Sequence, residues 1–288
     1  MRTFWLGTHK PGWLAREDFR GVPLMLSHQE LKMRAHMPKV VLTSWMLDSG
    51  GFTQLSSRGP WPDHCEEPYV EAVRRYALAG GLAYAWPQDW MCEPWVVQGG
   101  LHGGRRYPGT GLTVEDHQRL TVANFLRLQE LAPELPWRPV LQGWELPDYF
   151  RAVRLYQEAG VDLWSYDLVG LGSVCRRQGT EEIGQVVREV SSTGLPLHGF
   201  GVKTQGLEQY GQDLWDADSM AWSRDARWQG SATRRGDKLG PMLPDCSHGV
   251  TGKGSCANCP RWALEWRRRL LQKLGLEDSP GTVPQNSP

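Results

Sequence analysis

Four side chains near the carboxyl end of the chain have the types and spacing of a zinc site. One residue separates Cys246 from His248, and two residues separate Cys256 from Cys259. Three thiolates and one imidazole make a complete tetrahedral ligand set for Zn²⁺, with no position left open for water. The sequence therefore predicts a structural zinc ion that stabilises the fold and takes no part in the chemistry.

A second group of candidates consists of polar residues that each follow a short apolar run. Asp48 stands in Leu47-Asp48-Ser49-Gly50-Gly51-Phe52, where the glycines let backbone N–H groups approach a ligand closely. The others are Gln88-Asp89, Gln142, Asp167, Lys203-Thr204 and Asp218. Any one of them is equally well explained as a helix cap or a turn former, but the series indicates a site assembled from strand ends.

The elements that would position these residues are apolar runs alternating with helical segments. The predicted strands are 3–7, 22–27, 40–47, 82–86, 138–142, 163–168, 195–201 and 219–222. The predicted helices are 69–79, 114–131, 147–159, 181–191, 207–215 and 261–274, with Thr113 and Thr180 as N-caps and glycines at 80–81, 160 and 194 as stops. This alternation predicts an α/β fold, a (β/α)8 TIM-type barrel with reacting groups at the carboxyl ends of its strands.

The alternation ends after Trp222. We predict a catalytic barrel over residues 1–245, a zinc-binding motif with a terminal helix over 246–277, and a disordered tail over 278–288.

Composition and charge limit the class of protein. Lys and Arg together number 32, as do Asp and Glu, so the net charge neither requires nor excludes a nucleic-acid partner. The chain lacks an apolar run of membrane-spanning length or a signal-peptide core, and its cysteines are too unevenly placed for a disulfide framework. We therefore expect a protein without a membrane segment in a reducing cytoplasm, the host cytoplasm if it is phage-encoded.

The short motifs, taken in order, resemble those of the tRNA-guanine transglycosylase superfamily. They are Asp48-Ser49-Gly50-Gly51-Phe52, Pro87-Gln88-Asp89-Trp90, Val140-Leu141-Gln142-Gly143, Gly170-Leu171-Gly172, Gly199-Phe200-Gly201-Val202 and Ala217-Asp218-Ser219-Met220. Segments 47–54, 87–94, 172–177, 198–204 and 216–224 look most like the DpdA group of that superfamily. Members of that group are implicated in placing 7-deazaguanines in DNA.

The resemblance implies a role for each candidate. Asp218 matches the covalent nucleophile, and Asp48 the proton-transfer catalyst, of a base exchange with retention at C1′. Asp89 and Gln142 match residues that hold the guanine edge, and the backbone of Gly170-Leu171-Gly172 completes that pocket. The target nucleotide would be flipped out or single-stranded, and the entering base would be a 7-deazaguanine such as 7-cyano-7-deazaguanine.

Several alternatives stay open at the level of sequence. The tRNA enzymes carry zinc on C-x-C-x-x-C and a distant histidine, whereas this chain has C-x-H before C-x-x-C, which argues against a long polynucleotide platform. The same exchange on tRNA, and a binding protein for nucleic acid or deazapurine without catalysis, are the alternatives to DNA modification. Trp45, Trp86, Trp90 and Trp144 are candidates for stacking on a base, whereas His117, His198 and Lys203 are expected to be structural. A homodimer or partner modification proteins also remain open.

Overall fold

The structure is a computed structural model, and it describes residues 1–40, 42–174, 181–229 and 256–276. Its strands in chain order are β1 Thr3–Thr8, β2 Leu24–Ser27, β3 Trp45–Asp48, β4 Leu82–Ala85, β5 Gly100–His102, β6 Arg105–Tyr107, β7 Val140–Leu141, β8 Val169–Leu171, β9 Leu197–Gly199 and β10 Asp216–Ser219. Strands β5 and β6 form a separate antiparallel hairpin, and the other eight form one parallel sheet.

Helices alternate with these strands. They are α1 His28–Leu31, α2 Gly51–Ser57, α3 Glu66–Ala77, α4 Pro94–Val97, α5 Val114–Leu131, α6 Leu146–Glu158, α7 Glu181–Ser191, α8 Thr204–Tyr210, α9 Ala221–Gln229 and α10 Pro260–Lys273. None of the helices in the described ranges is long and apolar enough to cross a bilayer.

The two edges of the parallel sheet meet. The strand order is β4-β3-β2-β1-β10-β9-β8-β7, and β4 is joined to the segment that leads into β7 by a parallel bridge between Ala85 and Trp137. The N–H of Ala85 donates to the carbonyl of Pro136 at 3.0 Å, and the N–H of Arg138 donates to the carbonyl of Ala85 at 3.1 Å. The predicted α/β fold with eight parallel strands in a TIM-like arrangement is therefore confirmed.

Alternation along the strands divides the core into two layers. On β1, Phe4 and Leu6 pack in the large outer layer between the strands and the helices. Trp5 points to the other side and packs in a smaller inner layer with Met25, Met46, Ala83, Trp86, Val140 and Leu168. The inner layer lies inside the barrel, next to the polar residues at the strand ends.

Two predicted strands were misplaced. The strand predicted at 163–168 begins instead as a 3-10 turn, Leu163–Ser165, and β8 lies at Val169–Leu171. Asp167 consequently precedes the strand and pairs with Arg138, 2.6 Å from Asp167 Oδ1 to Arg138 Nε, so its predicted position at a carboxyl strand end is wrong. The strand predicted at 219–222 is β10 at 216–219, because its inward side chains are carboxylates that an apolar pattern does not detect.

The helix signals in the sequence were more accurate. Helices α5 and α7 have the predicted bounds, and Thr113 forms a capping box with Asp116 at the start of α5. Gly80, Gly81, Gly160 and Gly194 all have positive φ, as expected of residues that end helices. The predicted cap Thr180, the predicted domain boundary after 245 and the tail at 278–288 lie outside the described residues.

Replacing the cap residue of α5 tests the local basis of this fold. We expect Thr113→Ala to lower the free energy of unfolding by about 1 kcal/mol, because an N–H in the first turn loses its acceptor. Thr53→Ala, at an exposed position within α2, is the control and should change it by less than about 0.5 kcal/mol. Urea unfolding of the variants measures both, and equal effects would contradict the assigned role of the cap.

Candidate active site

Strand β10 places two carboxylates inside the barrel. Asp216 and Asp218 are two residues apart and therefore lie on the same face of the strand. Asp216 Oδ2 accepts from Trp5 Nε1 at 2.8 Å, and its Oδ1 lies 2.6 Å from His198 Nδ1. Asp218 Oδ1 accepts from the N–H of Gly201 at 2.7 Å and lies 3.4 Å from His198 Nε2. His198 thus bridges the two carboxylates.

This position determines the protonation state of His198. The imidazole is fully buried on β9, and burial alone would lower its pKa. The carboxylates of Asp216 and Asp218 outweigh that effect and raise the pKa of His198 to about 9. Near neutral pH the histidine is therefore a buried cation in contact with two anions.

Asp48 occupies the carboxyl end of β3. Gly50 follows in the left-handed region at φ 83°, and its N–H donates to Asp48 Oδ2 at 3.1 Å, where α2 begins. A Cβ on Gly50 would lie 2.6 Å from Gln29 Cγ, so the turn requires glycine. Burial raises the pKa of Asp48 to about 6, against the opposing hydrogen bond from Ser27, and the negative charge of Asp218 adds to the rise.

Asp89, on the loop after β4, lies against Gln142, which follows β7. Gln142 Nε2 donates to Asp89 Oδ2, and the Ser49 hydroxyl donates to Asp89 Oδ1 at 3.3 Å. Burial raises the pKa of Asp89 to about 7, and the nearby charge of Asp48 adds to this. These hydrogen bonds connect the loops after β3, β4 and β7 at one end of the barrel.

The amide of Gln142 is held in one orientation. Its Nε2 faces Asp89, while its Oε1 lies 2.7 Å from the hydroxyl of Ser173. Ser173 has a positive φ of 56°, and its hydroxyl also lies 3.0 Å from Oε2 of the buried Glu93. A non-glycine residue in this backbone region is uncommon and is found most often where a site needs a side chain in one place.

The stretch Gly170-Leu171-Gly172 contributes space to the site. The N–H groups of Gly170 and Gly172 donate to the carbonyls of Pro139 and Leu141 at 2.8 and 2.9 Å, so both are already used within the barrel. A Cβ on Gly170 would lie 2.6 Å from the ring of Phe200, and Gly172 is packed as closely against Gln142. The two glycines thus let the side chains of Phe200 and Gln142 enter, and the role of the 170–172 backbone in completing a base pocket stays a prediction.

The four candidate tryptophans have different surroundings. Trp86 lies in the inner layer and stacks on His198, with ring centroids 5.1 Å apart. Trp45 is buried in the outer layer, where its Nε1 donates to the carbonyl of Gly80. Trp90 packs on His117, and Trp144 on Trp95. The ring of Trp86 thus contacts a residue that lies between Asp216 and Asp218.

Half of the predicted zinc ligands can be located. Cys256 and Cys259 are buried at either end of a turn, with the N–H of Cys259 donating to the carbonyl of Cys256 at 3.2 Å. The turn packs against α9, where the Ser223 hydroxyl donates to the carbonyl of Ala257 at 2.8 Å. Cys246 and His248 lie outside the described residues, and within the described ranges no three metal-binding side chains come together.

The structure brings Asp48, Asp89, Gln142 and Asp218 to the same end of the barrel, as predicted. Asp218 does so from within β10, because the strand predicted at 219–222 lies at 216–219. It also adds groups that sequence reasoning missed or set aside: His198, Asp216, Ser173 and Glu93. One signal was available for Asp216, since Asp216-Ala217-Asp218 alternates charged and apolar residues at the period of a strand. His198, Ser173 and Glu93 gave no such signal.

Carboxylates at the carboxyl ends of parallel barrel strands, beside a buried imidazolium, are groups suited to acid–base and nucleophilic chemistry. Over residues 1–285 the chain matches the family described as DpdA, DeoxyPurine in DNA protein A. Because this match covers nearly the whole chain, the protein belongs to the DpdA family, and the resemblance found in its motifs is confirmed. No curated protein gave a match.

The buried cation makes stability depend on pH. Because the pKa of His198 is raised from 6.5 to about 9, its contribution is fully present below pH 6.5 and is lost as the pH rises to about 9. We expect the free energy of unfolding to fall across this window in the wild type and to fall less in His198→Gln. The loss of unfolding free energy that His198 causes in the wild type is about 1.4 kcal/mol for each unit by which its pKa in the folded state exceeds its pKa in the unfolded state.

His117→Gln is the matched control, because His117 is also buried but contacts Met91 and Thr110 rather than carboxylates. Its slope between pH 6.5 and 9 should equal that of the wild type. Urea unfolding at several pH values measures all three proteins. A His198→Gln protein with an unchanged slope would show that the histidine is neutral in the folded state.

Proposed function

We propose that the protein is a transglycosylase that replaces guanine in DNA with a 7-deazaguanine base, such as 7-cyano-7-deazaguanine. The observation that carries this proposal is the pair Asp218 and Asp48, two carboxylates close enough to interact but held in different environments. Asp218 lies beside a cation, while Asp48 titrates near neutral pH. One group is suited to attack carbon and the other to carry a proton.

In the first half of the exchange, Asp218 attacks C1′ of the target nucleotide. Among the described residues, the contacts to Asp218 from Gly201 and His198 fall on Oδ1, and we assign the new bond to Oδ2. The C1′–N bond breaks, and Asp48 in its acid form gives its proton to the leaving base, which departs as neutral guanine. The products of this step are a glycosyl ester on Asp218 and an ionised Asp48.

The second half reverses these roles. Asp48, now a carboxylate, removes the ring N–H proton of the entering deazaguanine, whose nitrogen attacks C1′ from the same face that guanine left. The ester bond breaks, and Asp218 is released as a carboxylate. Two inversions at C1′ give net retention, and a pKa of about 6 lets Asp48 hold and release the proton near neutral pH.

Asp89 and Gln142 are proposed to hold the edge of the base. Guanine and 7-deazaguanine both present N1–H and an exocyclic amine as donors beside the O6 acceptor. An ionised Asp89 accepts from the donors, and the Gln142 amide, oriented by Ser173, offers a donor to O6. Because both bases share this edge, one pocket can receive the leaving and the entering base in turn.

His198 acts on Asp218 as a positioning residue. Its ring is fixed between Asp216 and Asp218 and is covered by Trp86 and Phe200. A cation at this point stabilises the negative charge that returns to Asp218 when the ester breaks. Together with the rings of Trp86 and Phe200, the imidazole also excludes water from the inner side of the Asp218 carboxylate.

DNA is favoured as the polymer over tRNA by the description of the family, which names a deoxypurine in DNA. The retained carboxylates favour an enzyme over a protein that only binds nucleic acid or deazapurine. The test is to incubate the protein with duplex DNA, single-stranded DNA or tRNA that carries labelled guanine, with and without 7-cyano-7-deazaguanine. Release from DNA that depends on the deazaguanine supports the proposal.

We expect Asp218→Asn to abolish both the release of guanine and any covalent protein–DNA adduct on a denaturing gel. The amide keeps the shape of the side chain but is not a nucleophile. Asp167→Asn is the control, because that exposed carboxylate lies before β8, and it should retain activity. An adduct that survives Asp218→Asn would reassign the nucleophile, and release from tRNA alone would replace DNA as the substrate.

We also propose that Cys246, His248, Cys256 and Cys259 hold one structural Zn²⁺. The observation in favour is that Cys256 and Cys259 are buried on one turn with C-x-x-C spacing, which suits two thiolates of a tetrahedral site. When bound, the ion would link residues 246–248 to the turn of Cys256 and Cys259, which packs on α9, the helix that follows the strand of Asp218. The residues that do the chemistry do not include these four.

Removing one ligand tests the zinc site. Cys259→Ser should lower the zinc content from about one ion per chain and lower the melting temperature, because a structural site rarely tolerates three ligands. Cys65→Ser, a change at a half-buried thiol before α3, should keep the metal. Elemental analysis by mass spectrometry and thermal unfolding measure the two effects, and full zinc in Cys259→Ser would refute the ligand assignment.

A further inference from the structure

The hairpin of β5 and β6 lies beside the site and has no part in the chemistry proposed above. It stands in the connection between Asp89 and α5, where His102 and Arg105 flank a two-residue turn, Gly103-Gly104, with φ values of 55° and 78°. Two positive φ values in a two-residue loop are the form of turn that matches the twist of a hairpin. The hairpin is therefore an ordered element of regular geometry.

The base of the hairpin is closed by glycines. A Cβ on Gly99 would lie 2.8 Å from the carbonyl oxygen of Pro108, and one on Gly109 would lie 2.7 Å from the nitrogen of Gly99. The two ends of the hairpin thus approach each other more closely than residues with side chains would permit.

One face of the hairpin is anchored to two loops of the site. His102 stacks on Trp95 at 4.0 Å, and Trp95 packs on Trp144, two residues after Gln142. Across the ladder from His102, Arg105 donates to Ser56 and Ser57 of α2, the helix that follows Asp48. The hairpin therefore reaches from α2, which follows Asp48, to the tryptophan that packs on the loop after Gln142.

The opposite face carries Leu101 and Arg106. These two residues pair across the strands and, by the alternation of a β-ladder, point away from the face that His102 and Arg105 use for anchoring. Leu101 is 79% exposed, and Arg106 is exposed and forms no ion pair among the described residues. Residues 98–114 contain two arginines and one histidine but no acidic residue.

We propose that Leu101 enters the base stack of duplex DNA next to the target nucleotide while Arg106 binds a neighbouring phosphate. This inference rests on the proposed function and adds how the duplex is opened. A nucleotide that leaves the stack exposes apolar base faces, and inserted leucine side chains fill such gaps in other DNA-binding proteins. An isolated exposed leucine needs no explanation, but this one sits beside a cation on a hairpin anchored at the site.

The experiment compares two substrates of one sequence. We expect Leu101→Ala to exchange guanine in single-stranded DNA at the wild-type rate. In duplex DNA its rate should fall to about one tenth of the wild-type rate or lower, because only the duplex must be opened. Leu78→Ala removes an equally exposed leucine just after α3 and should leave both rates unchanged. Arg106→Ala should reduce, by about one, the slope of the logarithm of the duplex binding constant against the logarithm of the salt concentration.

A second measurement does not depend on exchange. A duplex with 2-aminopurine beside the target guanine becomes brighter when that base unstacks, so the wild type should raise its fluorescence on binding and Leu101→Ala should not. If the wild type binds and opens the duplex but exchanges no base, the proposed function fails while this inference stands. The inference is overturned if Leu101→Ala matches the wild type on duplex DNA, slows both substrates equally, or changes the oligomeric state in sedimentation, which would make Leu101 a protein contact.

Discussion

A buried histidine between two carboxylates is the interaction on which the rest of the site depends. His198 is fully buried and contacts both Asp216 and Asp218, so its positive charge is balanced within the barrel rather than by solvent. A buried charge without a partner is costly, and removing any member of the group would leave the others uncompensated. The inner layer around Trp86 accordingly combines apolar packing with one compact ionic group.

Within this ionic group, Asp216 and Asp218 of strand β10 have different contacts. Asp216 is engaged by Trp5 and His198 and belongs to the interior, whereas the contacts of Asp218 within the described residues fall on its Oδ1. Across the barrel, Asp48 and Asp89 have no cation in hydrogen-bond contact among the described residues, and burial raises the pKa of both toward neutrality. The barrel therefore holds carboxyl groups in unlike surroundings, Asp218 beside a cation and Asp48 with a pKa raised by burial. Such a difference suits the proposed division between a group that attacks and a group that transfers a proton.

Two segments around the site contact the elements that carry its polar residues. The hairpin of β5 and β6 contacts α2, which follows Asp48, and Trp95, which packs on Trp144 after Gln142. The turn of Cys256 and Cys259 packs on α9, directly after the strand of Asp218. Short segments thus connect the proposed duplex contact, the proposed metal site and the proposed nucleophile.

Much of this arrangement could be predicted from the sequence. The alternation of apolar runs and caps located most strands and helices, because periodicity and capping are local properties, and Asp48, Asp89, Gln142 and Asp218 were recognised as strand ends in an ordered set. The sequence did not reveal β10 correctly, since its inward residues are charged, and it assigned His198 to a structural role. Only the tertiary structure decided that His198 lies between Asp216 and Asp218 and that Gln142 meets Asp89, 53 residues away. Such contacts depend on strand register and barrel closure, which no local pattern encodes.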